Sequence, residues 1–211
     1  MNHLPSDLQT RFTTWCLHHG ASEAATAHLW DELSTLYTEA HRHYHHLGHI
    51  ASSLAEFDAT GSNNSLIEGA IWFHDVIYDP KRADNEVAST AWFLDATSSW
   101  LDPRSATAIT RLIEATDFRL PLSDDPDSQL MVDIDLAILS ASQDSYDDYC
   151  QAIRREYAHV SDEAFREGRA KVMAGFLERP IYRTEWFIGR EEPARENIGR
   201  ELGRLRGDAL V

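Results

Sequence analysis

The sequence predicts a single all-α domain of roughly ten helices, spanning residues 1–211. Three observations predict it. Helix-capping and helix-stopping residues punctuate the chain throughout. Apolar–polar alternation of the strand kind is absent. No internal repeat, low-complexity tract or inter-domain linker breaks the pattern.

In chain order, Ser6 opens a first helix that Gly20 ends, and Ser22 precedes a second that runs towards His41. A third carries Tyr44-His45-His46-Leu47-Gly48-His49-Ile50 and ends before the turn Gly61-Ser62-Asn63-Asn64. A fourth runs from Ser65 to Tyr78, where Asp79-Pro80 stops it, and a fifth from Ala83 to Thr97. Asp102-Pro103 reads as an N-cap with proline at the first helical position, opening a sixth helix to Thr116. A polar loop, Leu120 to Asp125, leads to Pro126 and an apolar helix ending near Ala141. Ser142 and Ser161 read as N-caps of two long amphipathic helices. Pro180 breaks the second of these, and Pro193 starts a last, charged one.

Composition narrows the function classes. The chain has 211 residues, 43 % hydrophobic and 26 % charged, enough to bury one sizeable core. Nineteen basic against 35 acidic residues give a formal charge of −16, which repels nucleic-acid backbones and anionic membranes. Neither is an expected partner. No apolar leader opens the sequence, and no run approaches the ~18 apolar residues of a membrane span. Cys16 and Cys150 lie far apart without a CxxC neighbour and read as reduced thiols of a cytoplasmic protein.

Chemistry concentrates in a few places. Between Leu66 and Tyr78, Ile67, Ala70, Ile71, Ile77 and Tyr78 form one apolar arc at 100° per residue. His74 falls in the middle of the arc and Asp75 at its edge. A satisfied core histidine with a capping aspartate is one reading. A divalent cation that satisfies both groups is the other. In Leu130–Leu139, Asp133 and Asp135 interrupt an apolar helix and point nearly opposite ways, about 200° apart. One reads as a ligand, the other as a salt-bridge or cap partner. His45 and His49 share a face if both are helical. The spacing resembles His-Glu-x-x-His, but His46 occupies the glutamate position. Both lie off the apolar stripe Leu47, Ile50, Leu54 and Phe57, so taken alone they read as solvated surface. Glu86 is either a site carboxylate or an acid at a helix N-terminus, and Arg154 either a phosphate ligand or part of a solvated helix face.

In order, the chain reads His…His-Asp…Asp on successive helices. This resembles the HD-domain superfamily, in the bacterial branch labelled predicted metal-dependent HD-superfamily phosphohydrolase. The likeness extends over Tyr44–His49, Ala70–Asp79, Asn85-Glu86, Asp133–Leu139, Ile153–Tyr157 and Ala194–Ile198, from about residue 30 to 205. It implies an HD-like helical domain with one divalent transition metal ion (Mn, Fe, Co, Ni or Zn) on His49, His74, Asp75 and Asp135, with Asp133 the lesser candidate for the fourth position. Tyr44-His45-x-x-x-His49 also looks like the cyclic-nucleotide phosphodiesterase spacing, which gives His45 the role of acid to the leaving oxygen. Related sequences often carry a histidine after the threonine where this chain reads Thr116-Asp117-Phe118-Arg119, a departure that favours a single ion.

The expected activity is hydrolysis of a phosphoester or phosphoanhydride of a small, nucleotide-like phosphorylated substrate. Glu86 or Asp75 would orient the water, His45 would protonate the leaving group and Arg154 would hold a phosphate. The alternatives are an idle HD-fold ligand-binding module and an HD-fold iron oxygenase. The substrate, the metal and the oligomeric state are open at this level.

Overall fold

A computed structural model describes residues 4–207, with side chains from Asp7. Among the described residues every regular element is helical. The helices are α1 (Leu4–His18), α2 (Glu23–Leu36), α3 (Leu47–Ala59), α4 (Ser65–Phe73), α5 (Asn85–Thr97), α6 (Pro103–Glu114), α7 (Pro126–Asp135), α8 (Gln143–Glu156), α9 (Asp162–Leu177), α10 (Glu185–Ile188) and α11 (Glu191–Arg206). A 3₁₀ turn, Leu136–Ser140, follows α7. The all-α reading of the sequence holds. No helix among the described residues is long and apolar enough to cross a membrane.

The expected caps explain where several helices begin. Ser22 accepts from Ala25 N at 3.1 Å, Asp102 from Arg104 N and Ser105 N at 3.0 and 3.1 Å, and Ser161 from Ala164 N at 3.3 Å. Ser142 accepts from Ser145 N at 3.4 Å. Each cap of this kind is worth about 1 kcal/mol. Ser6 is not a cap, because α1 already begins at Leu4.

Two helices stop short of the sequence expectation. α2 ends at Leu36 rather than His41, and α4 at Phe73 rather than Tyr78. The segment after α4 can leave the helix because side chains from elsewhere satisfy its backbone. Arg42 donates to the Asp75 and Val76 carbonyls, and Ser89 Oγ bonds both the N–H and the carbonyl of Ile77. His41 reaches the Tyr78 carbonyl, and Asn85 Oδ1 accepts from Asp79 N.

The chain divides into two compact units, one ending at Met131 and one beginning at Val132. The core of the first is aromatic. Phe12 lies 5.2 Å from Trp72 and 5.6 Å from Trp30, ring to ring. Trp15 Nε1 donates to the Ser65 carbonyl at 2.8 Å. Gly69 permits this packing, since a Cβ there would stand 2.6 Å from Trp15 Cζ2 and 2.8 Å from Ile109 Cδ1. In the second unit Glu201 is buried and paired. It accepts from Arg169 Nε at 2.8 Å and from Tyr146 Oη at 2.5 Å. Asn197 Nδ2 ties α11 to the Leu139 and Ala141 carbonyls at 2.8 and 2.9 Å.

Candidate metal centre

The first unit gathers His49, His74 and Asp75. His49 sits in the first turn of α3, whose N-cap is His46: its Nδ1 accepts from Gly48 N at 2.8 Å. Gly48 leaves room for that ring, since a Cβ would lie 2.4 Å from His46 Cε1 and displace the cap. His46 is therefore a capping residue. His45 precedes the helix, so the expectation that His45 and His49 lie one helical turn apart is wrong. Their rings are neighbours nonetheless, with centroids 6.0 Å apart.

The solvated-surface reading of these histidines also fails. His49 is 4 % exposed, because the buried face of α3 comprises His49, Ile50, Ser53, Leu54 and Phe57. Only part of that face is apolar, so hydrophobic phase alone does not reveal it. His45 is half-buried and stacks on Tyr78, ring centroids 4.1 Å apart.

His74 is the C-cap of α4, its N–H bonding the Ala70 carbonyl at 2.9 Å. Its Nδ1 lies 3.0 Å from the Ile71 carbonyl. A carbonyl only accepts, so Nδ1 donates to it and Nε2 is the ring atom turned to the site. That Nε2 stands 3.0 Å from His49 Nε2 and 3.1 Å from Asp75 Oδ2, and His49 Nε2 stands 3.6 Å from the same oxygen. Donor atoms about 2.1 Å from an ion lie about 3.0 Å apart at right angles and about 3.4 Å apart at tetrahedral angles. The observed separations bracket both, and imidazole with carboxylate suits Mn, Fe, Co, Ni or Zn. The residues could hold a metal ion, with His49 and His74 among the side chains that would ligate it. A carbonyl behind a ligating histidine is also the usual orienting partner at such sites.

Burial alone would raise the Asp75 carboxyl. The imidazoles of His74, His45 and His49, and a hydrogen bond from His74, outweigh it and hold the group well below the usual carboxylate range. Asp75 is thus an ionised acceptor.

Comparison with models of known protein families, with curated proteins and with solved structures gives no match to this chain.

Glu86, the second residue of α5, pairs with Arg119 Nη2 at 2.9 Å. Burial raises its carboxyl. Repulsion from Asp117 and Asp75 adds to that, against the pull of its own backbone and of Arg119. Asp75 thus influences Glu86, and the two carboxylates belong to one electrostatic neighbourhood. Arg119, which stands in the segment where a histidine was expected, also binds Asp117 at 2.7 Å and the Ala83 carbonyl.

The remaining expected residues lie in the second unit. Asp135 is the last residue of α7 and is half-buried. Asp133 is fully buried and accepts from Arg183 N at 3.1 Å, Thr184 N at 2.7 Å and Thr184 Oγ1 at 2.6 Å, just ahead of α10. It is the member of the pair whose oxygens are taken up by hydrogen bonds from Arg183 and Thr184. Arg154 is turned to structure rather than to a phosphate. It donates to Asp162 at 2.6 Å and to the Tyr157 and Val160 carbonyls at 2.8 and 3.1 Å, closing the α8–α9 turn. An arginine in a last helical turn faces unpaired carbonyls, which explains that use. Burial pushes both Cys16 and Cys150 up to about 12, so neither is a thiolate nucleophile at neutral pH.

Sequence reasoning missed Arg42. Its guanidinium is buried between α2 and α3, 5.0 Å from the Tyr37 ring and 5.6 Å from that of Tyr78. One signal was available: it is the only lysine or arginine between Arg11 and Lys81.

Proposed function

We propose that this chain is a metal-dependent phosphohydrolase of the HD superfamily, acting on a phosphoester or phosphoanhydride of a small, nucleotide-like molecule. The observation that carries the reading is the meeting of two imidazole Nε2 atoms and an ionised carboxylate oxygen within 3.0–3.6 Å. The sequence resemblance supports it and supplies the Asp135 assignment.

His49, His74 and Asp75 would hold the ion, with Asp135 as a further ligand. A bound divalent cation lowers the pKa of a coordinated water towards ~7 and polarises a phosphoryl oxygen. The residues of the chain supply the rest. His45, with its ring fixed against Tyr78, donates a proton to the departing oxygen. Glu86, pushed upward by burial and then by Asp117 and Asp75, orients the attacking water and takes up its proton. Cys16 and Cys150 are unpaired, which suits a cytoplasmic protein.

The test is metal content by plasma mass spectrometry together with turnover of bis(p-nitrophenyl) phosphate, in the natural chain and in Asp75→Ala. The expected result is about one transition-metal ion per chain with hydrolysis, both lost in the variant. Full turnover in the metal-depleted variant would overturn the assignment.

A further inference from the structure

We infer that Arg42 is the positioning residue of this site. It holds the turn that carries His45 and the turn that carries His74 and Asp75 in a single register. The inference deepens the proposed function and rests on it for its catalytic meaning.

The two turns are remote in sequence and neither is helical at the atoms concerned. Arg42 joins them through one nitrogen: Nη1 donates to the His45 carbonyl at 2.9 Å and to the Asp75 carbonyl at 2.7 Å. Nη2 donates to the Val76 carbonyl at 2.9 Å. Nε faces Glu39 Oε2 at 3.1 Å, which compensates the charge. The side chain is 0 % exposed, and the rings of Tyr37 and Tyr78 flank it. Tyr78 is also the platform for His45.

Because the His45 and Asp75 carbonyls share one donor, neither turn can shift without pulling on the other. The separation between the His45 imidazole and the Asp75 carboxylate is then set by a rigid, planar fork rather than by loop flexibility. Lysine cannot reproduce this. Its single ammonium keeps the charge but lacks the fork that reaches three carbonyls. A residue needed only as a buried cation would tolerate lysine. A residue that sets register would not.

The experiment compares the natural chain with Arg42→Lys and Arg42→Gln in three readouts. Hydrogen exchange read by mass spectrometry follows residues 43–49 and 74–79. A visible-absorption titration follows Co²⁺ binding, and kcat and KM are measured separately on bis(p-nitrophenyl) phosphate. In Arg42→Lys both segments should exchange about tenfold faster together, with α5 and α6 unchanged. Co²⁺ affinity should fall about 10- to 100-fold, the usual effect of losing an orienting partner. The kcat should fall while KM holds. Arg42→Lys matching the natural chain in exchange, or loosening of one segment alone, overturns the inference. If Arg42→Gln does not fold, the lysine variant decides by itself. If the natural chain binds no Co²⁺ and hydrolyses nothing, the proposed function fails. The exchange data then still decide whether Arg42 links the two turns.

Discussion

The Nε2 atoms of His49 and His74 face each other at 3.0 Å, while His74 Nδ1 donates to the Ile71 carbonyl. Two ring nitrogens at that separation need a proton or a cation between them. With Asp75 ionised beside both, a cation resolves the arrangement without a buried unpaired charge.

A metal ion bound by that group as proposed would stabilise the fold. Transition-metal addition should raise the melting temperature of metal-depleted protein, by an amount equivalent to about 2.7 kcal/mol at a hundredfold excess over Kd. His74→Ala should abolish the rise. Calorimetry with and without Mn²⁺ or Co²⁺ checks this, and an unchanged rise in His74→Ala would remove His74 from the ligand set.

His45 should separate catalysis from metal binding. His45→Phe keeps a ring to stack on Tyr78 but has no proton to donate. Its metal content should match the natural chain while kcat falls about 10²- to 10⁴-fold, the range for general acid help. Loss of the metal in this variant would instead make His45 a ligand.

Glu86 gives the pH dependence. The fold raises its pKa above the ordinary 4.5 through burial, with Asp117 and Asp75 adding and Arg119 opposing. The ionised form is the active one, so the acid limb of kcat/KM should lie above 4.5 and shift further up in Arg119→Met. The same shift makes ionised Glu86 a strain on the fold. Its favourable contribution to stability is complete below the unfolded pKa and is lost as pH rises through the folded one. Metal-free Glu86→Gln should therefore gain on the natural chain in melting temperature as pH is raised from 4 to 7. An acid limb that Arg119→Met leaves in place would discard Glu86 as the group observed.

Much of the fold was legible because its signals are local. Ser22, Asp102, Ser142 and Ser161 bond backbone N–H groups within three residues, so the sequence carries the whole interaction. The ends of α2 and α4 were not legible. That of α4 depends on Arg42, His41 and Ser89 satisfying carbonyls of residues 75–78, pairings that span 12 to 37 positions. His74 and Asp75 stood out as polar groups on an apolar arc. The burial of His49 was hidden because the buried face of α3 is only partly apolar, with His49 and Ser53 beside Ile50, Leu54 and Phe57. Arg154 was misread for a related reason: its partners at the α8–α9 turn leave no hydrophobic pattern.

Asp133 and Asp135 should part company under mutation. Asp133→Ala removes the acceptor of two backbone N–H groups and one hydroxyl ahead of α10 and leaves them buried. Unpaired donors cost about 1–3 kcal/mol each and a lost cap about 1 kcal/mol, with partial relief from entering water. A net loss of about 2–4 kcal/mol in a urea melt is expected, with metal retained by the folded fraction. Asp135→Ala should do the opposite, lowering metal affinity at near-natural stability. If Asp133→Ala loses the metal while remaining as stable as the natural chain, the two roles are exchanged and the ligand is Asp133.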